Sequence, residues 1–355
     1  MSRCEGSFAS SLRVVFGLAA ICFAGTMARV SAQPNDTGIA VPTPGRGAPE
    51  GKAVNGRVEI LHVQGNVYMI SGAGANITVQ VGKEVVFLVD AGVPEMSDQV
   101  LDAVRSITDK RIMFIIDTSA DADHIGGNAN LAKAGIPVPN IGSTLIAPGG
   151  ASVVAHYNVL TRISAPSGKQ SLFPSADWPT DTYETDDWKF YNGEGVFIYH
   201  PAHAHTDGDS YVLFRSSDVI STGDIFTLAS YPVIKAAEGG SINGLIQTLN
   251  QIIDMLEPEE DEEGGTYVIP GHGHVCDRND VVDYRDMVTI IRDRVQSMVN
   301  KGMSLDQVKA AKLTLDYDGL YGATTGPWTT NMFIEAIYRE LSGNKNQQQK
   351  KAGGS

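Results

Sequence analysis

The chain is short of cysteine, of positive charge and of long apolar runs, and each shortage removes a class of protein. Three cysteines stand in 355 residues. Cys4 and Cys22 fall in a leader-like N-terminus, so Cys276 is left alone and no intrachain disulfide forms once that leader is removed. Lysine and arginine number 27 against 41 aspartates and glutamates, a formal charge of -14. That sign disfavours nucleic acid and anionic membrane surfaces as partners. The apolar run Val14 to Met27 is too short to span a bilayer comfortably. No internal repeat of fixed short period is present.

What remains is ordinary for a soluble domain: 42% hydrophobic and 19% charged residues, in a chain long enough for a sizeable core. Arg3 and Arg13 precede the apolar run, and Val30-Ser31-Ala32 offers small residues for cleavage. Residues 1–32 are therefore expected to be a secretory signal peptide, which places the mature protein outside the cytoplasm and leaves it without a membrane segment. Residues 33–57, rich in Pro, Gly and Ala, read as a flexible linker. Residues 58–341 read as one domain and residues 342–355 as a polar, disordered tail.

Within the domain, β-rich runs at 58–63, 67–70, 77–81 and 85–89 suggest a meander ending at Asp90-Ala91-Gly92. Helical spacing follows over 96–107, then the apolar strand Ile112 to Ile116. A helix is expected from Ala151 to Ile163, then an irregular loop from Ser164 to Asp187. Strands are expected at 196–199, 211–214, 219–220 and 267–269. Ser241 to Leu256 carries a continuous apolar face, with Ser241 as its N-cap. Closing helices are expected at 280–300, 304–312 and 330–341, with Ser304 and Gln307 as a capping box. Strands alternating with helices in two successive halves imply a layered α/β architecture.

The chemistry gathers where strands give way to loops. Asp121, Asp123 and His124 follow the strand Ile112 to Ile116, within Thr118-Ser119-Ala120-Asp121-Ala122-Asp123-His124. His203 and His205, Asp224, and His272 and His274 follow later strands. Carboxylates and imidazoles on separate loops at one sheet edge suit zinc, iron or manganese. The bland reading of the first stretch is a solvated acidic turn that caps a helix. His156, His200, His203 and His274 read as structural, Asp207 and Asp209 as turn residues, Asp90 as a loop tie and Cys276 as a partly buried thiol. Asn35 and Asn76 fit the glycosylation acceptor pattern.

In this order, the landmarks resemble the metallo-β-lactamase superfamily. They are Gly74-Ala75-Asn76-Ile77-Thr78, Leu88-Val89-Asp90, Asp123-His124-Ile125-Gly126-Gly127-Asn128, Ala204-His205-Thr206-Asp207-Gly208-Asp209, Thr222-Gly223-Asp224 and Pro270-Gly271-His272-Gly273. The resemblance covers roughly Val58 to Leu341 and implies a four-layer αββα sandwich with the active site along one edge. It also exposes a departure. The family motif H-x-H-x-D-H reads here Ser119-x-Asp121-x-Asp123-His124. Both leading histidines, which with the match to His205 hold the family's first metal, are missing. The matches for the second metal, Asp123, His124 and His272, are present, as is the bridging carboxylate, Asp224.

Three readings follow from the resemblance. In the first, the protein is a hydrolase in which Asp123, His124, His272 and Asp224 hold one zinc. A metal-activated water then attacks an ester, thioester, amide or lactam bond of a small-molecule substrate. His205 and Asp121 act there as base or orienting groups, so the catalytic residues are Asp123, Asp121 and His205. In the second, Asp121, His205 and Asp224 hold another metal, with Ser119 or a water completing its shell, which favours iron or manganese and opens redox chemistry. In the third, the fold is an inactive binding module. The metal residues over these readings are Asp123, His124, His205, Asp224 and His272. Substrate and oligomeric state are not legible in the sequence.

Overall fold

The structure, a computed structural model, describes residues 56–139, 149–167, 170–258 and 264–352, with side chains up to residue 343. The expected signal peptide, most of the expected linker and Asn35 lie outside the described residues.

A seven-stranded sheet opens the fold. Its strands are β1 (Glu59–Gln64), β2 (Val67–Ser71), β3 (Ile77–Val81), β4 (Val86–Val89), β5 (Ile112–Ile116) and β6 (Ser152–His156). After a small hairpin of β7 (Pro166–Ser167) and β8 (Gln170–Ser171), β9 (Asp181–Tyr183) completes it. A five-stranded sheet follows: β10 (Asp187–Tyr191), β11 (Glu194–Tyr199), β12 (Tyr211–Phe214), β13 (Val219–Ser221) and β14 (Tyr267–Ile269). The helices, in order, are α1 (Ser97–Ile107), α2 (Ala122–Ile125), α3 (Asn128–Ala134), α4 (Tyr157–Ile163), α5 (Ile242–Met255), α6 (Arg278–Asn300), α7 (Leu305–Ala310), α8 (Asp318–Tyr321) and α9 (Thr330–Ala352).

The burial pattern sorts these elements into four layers. Phe87, Val89, Phe114 and Ile116 of the first sheet pack with Val196, Ile198, Val212 and Phe214 of the second, making the central core. Alternate residues of the first sheet, Val86, Leu88 and Ile115, face outward and meet Val100 and Val104 of α1 and Leu131 of α3. Leu213 and Ile220 of the second sheet meet α5, α6 and α9. Period-2 alternation thus feeds two interfaces from one strand, the αββα arrangement expected above.

Strand direction sets the site. β4, β5, β6 and β9 run parallel. In the second sheet β11, β12 and β13 alternate in direction and β14 runs parallel to β13. The C-terminal ends of β11, β13 and β14 therefore share one edge. The loops there are tied to those of the first sheet through the backbone. Asn76 N–H donates to the Gly271 carbonyl at 2.8 Å, and Ser210 N–H to the Thr118 carbonyl at 2.9 Å.

Several expectations need correction. The helix expected from Ala151 to Ile163 is two elements, β6 and α4. Val153 and Val154 are buried on opposite sides, one toward α1 and α3, the other between the sheets. A central parallel strand covered on both faces demands just this, and β-branched side chains favour it. The turn into α4 is made by His156, whose Nδ1 accepts from Asn158 N–H at 3.2 Å. The loop expected over Ser164 to Asp187 contributes β9 to the first sheet, and β10 follows it. The tail expected from Ser342 instead continues α9 to Ala352, through residues such as Gln and Lys that favour helix. Asn76 is buried, and its side-chain amide donates to the Pro270 and Gly273 carbonyls at 2.9 and 3.0 Å, so it is no glycan acceptor.

Candidate metal centre

Asp121 stands at the N-cap of α2, and Asp123 and His124 lie in its single turn. A loop after β11 brings in His205, the turn after β13 brings in Asp224, and the segment after β14 brings in His272. The turn at Asp224 is tight. Gly223 has φ 50°, and a Cβ there would meet Thr118 Oγ1 at 2.3 Å, so only glycine lets the two loops close together.

The six residues form two groups. Ligand atoms of Asp123, His124 and His272 lie within 4.8 Å of one another, and so do those of Asp121, His205 and Asp224. Asp224 joins the groups: its Oδ2 lies 3.3 Å from His124 Nε2 and its Oδ1 3.5 Å from His272 Nε2. His272 Nε2 is also 3.3 Å from Asp123 Oδ2. In the other group, His205 Nε2 stands 3.4 Å from Asp121 Oδ2. The structure thus brings together every residue that the sequence marks for catalysis or metal binding. Ser119 stays apart from them: it is fully buried, and its hydroxyl oxygen accepts from Asp121 N–H at 3.2 Å.

These distances test whether a metal fits. His124 Nε2 and His205 Nε2 are buried and make no hydrogen bond, although each faces a carboxylate. An orphaned polar atom in the interior is costly. Donors about 2.0–2.1 Å from a tetrahedral ion stand roughly 3.3–3.4 Å apart. Three spacings, Asp224 to His124 at 3.3 Å, Asp224 to His272 at 3.5 Å and His272 to Asp123 at 3.3 Å, lie close to that edge, so this group of donors suits a divalent ion.

Behind both buried histidines stands a carboxylate. Asp90 Oδ2 lies 2.8 Å from His124 Nδ1, and Asp90 Oδ1 accepts Thr118 N–H at 2.8 Å. Asp90 reaches this position with φ 68°, a left-handed conformation that aspartate tolerates better than most residues. Asp209 Oδ1 lies 3.3 Å from His205 Nδ1, and its Oδ2 accepts Thr206 N–H at 2.7 Å. A carboxylate on Nδ1 keeps the proton there and leaves the Nε2 lone pair for a metal or a proton. The reading of Asp90 as a loop tie holds and gains this second role. Asp209 is more than a turn residue.

The charges reinforce one another. Burial alone would lower the His124 pKa, but Asp90 and Asp224 outweigh it and hold it well above the usual imidazole value. Burial opposes charge on His272 as well, yet Asp123 and Asp224 push it up to about 10. For His205 the burial effect is overcome by Asp209, then Asp224 and Asp121, and its pKa is raised. Burial would raise Asp224, but His124 and His272 pull it well below the usual carboxylate range.

One residue at the centre was invisible in the sequence. The Lys235 ammonium contacts Asp121 Oδ1. Burial would lower its pKa, and Asp121 reverses that and raises it. Lys235 belongs to no regular motif; an isolated cation within Tyr231-Pro232-Val233-Ile234-Lys235-Ala236-Ala237 is its one signal.

The remaining histidines have structural partners. His156 and His200 stack at 3.5 Å, and His203 Nδ1 lies 3.0 Å from the Gly239 carbonyl. His274, Cys276 and Asp280 also cluster within 4.8 Å. There the buried Cys276 thiol donates to the His274 carbonyl, and Asp280 closes the capping box of α6 with Asp277. Burial pushes the Cys276 thiol up, which keeps it protonated.

Comparison with known proteins places the fold in a family. A family model described as the metallo-beta-lactamase superfamily matches residues 70–272. No curated protein matches the sequence. Among solved structures, a metallo-beta-lactamase from Pontibacter korlensis is similar at 15% identity and TM-score 0.50, over 66% of this chain and 99% of that one. The stereoselective inverting sec-alkylsulfatase Pisa1 from Pseudomonas sp. is similar at 15% identity and TM-score 0.56, over 80% of this chain. The match spans 50% of the sulfatase, so this chain covers about half of that protein's length. At such identities the likeness concerns the fold.

Proposed function

The chain belongs to the metallo-beta-lactamase superfamily, and from that membership we propose that it is an exported, metal-dependent hydrolase of a small-molecule ester, thioester, amide or lactam. Asp123, His124, His272 and Asp224 would hold one divalent ion, with zinc as the first choice for a set of nitrogen and carboxylate donors. The observation that carries this reading is the buried, unpartnered His124 Nε2, 3.3 Å from Asp224, in a group where His272 lies 3.5 Å from Asp224 and 3.3 Å from Asp123. A metal held there would act as a Lewis acid and bring the acidity of a water toward neutrality.

The chain's own groups do the rest. Asp90 fixes the His124 ring so that Nε2 faces the centre. His205 Nε2 is the atom placed to accept a proton from water, and Asp209 steadies the imidazolium that results. Asp121, 3.4 Å from that nitrogen, orients it. Asp123 and His272, 3.3 Å apart, would both turn to the metal as ligands.

Turnover of an ester, thioester, amide and lactam panel, with a secondary alkyl sulfate added, tests the proposal. Activity should disappear with a chelator and return with zinc. His205→Gln should lower kcat by roughly 100-fold or more, the span of a lost general base, while the metal is retained. Turnover that ignores the chelator would sink the reading, as would a His205→Gln variant of full activity. Export is tested by the N-terminus of protein recovered outside the cytoplasm, which should begin at Gln33. The iron or manganese reading requires Asp121 as a ligand, and the Lys235 contact disfavours it.

A further inference from the structure

We propose that the Lys235 ammonium stands in for the family's first metal ion, so that this centre takes a single divalent ion and uses a fixed side-chain cation beside it. This rests on the metal-hydrolase reading above.

The residues left at the first position cannot easily assemble an ion's shell. Ser119, where a histidine is lost, gives its hydroxyl oxygen to Asp121 N–H and is fully buried. Asp121, where the other is lost, has Oδ1 engaged by Lys235 and Oδ2 toward His205. Asp224 turns both oxygens to the histidines of the other group. His205 alone keeps an uncommitted donor. A divalent ion beside Asp121 would also face an ammonium of like sign at short range, in a partly buried setting where repulsion is poorly screened.

The lysine is held in place by the fold. Its own N–H donates to the His205 carbonyl at 3.0 Å, so lysine and histidine are fixed to each other through the backbone. Its carbonyl accepts from Glu238 N–H at 2.8 Å and Gly240 N–H at 3.0 Å, which closes the turn. A Cβ on Gly240 would stand 2.1 Å from the His205 carbonyl oxygen, so the turn reaches this position only with glycine there. Arg162 clamps the same turn through Glu238, at 3.1 Å, and ties it to Asp207, at 2.6 Å. The charge balance follows. Asp121 and Asp224 bring carboxylates to the wall around buried His205, and an ammonium offsets that charge where the relatives' extra histidines would have held an ion.

The test is metal stoichiometry. Chelator-stripped protein is titrated with zinc and with cobalt, and bound metal is counted calorimetrically and by plasma mass spectrometry after desalting. Wild type and Lys235→Arg should each bind a single ion. Lys235→Met, which keeps the apolar stem and removes the charge, should gain a second ion, and adding Asp121→Asn to it should remove that ion again. A second ion in the wild-type protein overturns the inference without any variant and leaves the metal reading standing. A single ion in Lys235→Met, with unchanged circular dichroism, overturns the inference alone. No ion in the wild-type protein overturns the metal reading and the inference with it.

Discussion

Asp90 shows how much of the centre depends on residues that would touch neither metal nor substrate. It orients His124 and carries the Thr118 loop in one carboxylate. Asp90→Asn keeps the left-handed backbone tolerable but cannot accept the His124 proton and the Thr118 hydrogen bonds in the same way. It should weaken metal affinity by about 10–100-fold, the usual cost of losing a ligand's supporting carboxylate, as read by chelator competition. His272 sets a pH window. Its folded pKa is raised from 6.5 to about 10, so in the metal-free protein its ion pairs stabilise fully below pH 6.5 and that contribution is lost as pH rises through 10. A metal needs the neutral imidazole and competes with that proton. Metal affinity should therefore climb between pH 6.5 and 10 while metal-free stability falls over the same window; a flat affinity profile would contradict this assignment. At this scale the sequence was informative wherever a residue belonged to an ordered motif. Asp123, His124, His205, Asp224 and His272 all did. Asp209 lies in one of those motifs but its role behind His205 shows only in the fold, and Lys235 acts through loop geometry that no local pattern encodes.

Among the elements, α5 was the most legible, because one unbroken apolar stripe and a serine cap mark it. Its N-terminus has a second support that spacing cannot reveal. Glu340 of α9 accepts Ile242 N–H at 2.7 Å and the Ser241 hydroxyl at 2.9 Å. A carboxylate at a helix N-terminus satisfies free N–H groups and meets the positive end of the helix dipole. Glu340→Ala should destabilise the fold by roughly 1–3 kcal/mol in urea melts without changing metal content. No change in the midpoint would make this contact incidental. β6 and α4 were misread as one helix because Val153, Val154, Val159 and Ile163 supply apolar positions that suit either period. The parallel pairing to β5 that decides between them is non-local. β9 lies hidden in a polar stretch because an edge strand needs little apolar surface, while β10 follows that stretch with Trp188 and Phe190 largely exposed on the edge of the second sheet.

For the molecule as a whole, the order of the motifs made the αββα fold legible, and parallel strand ends explain why distant motifs meet. Asn76 bonding to Pro270 and Gly273, and Ser210 to Thr118, bind the two sheets at the edge that bears the centre. Among the described residues no helix is long and apolar enough to cross a membrane. The central claim is that four donors from three separate loops hold a divalent ion. The most direct test is the metal content of purified wild-type and His272→Ala protein by plasma mass spectrometry. The account predicts stoichiometric metal in the wild type and its loss in the variant, with the fold retained by circular dichroism. Wild-type protein that stays metal-free under every loading condition, or a variant that keeps its full complement, would contradict it.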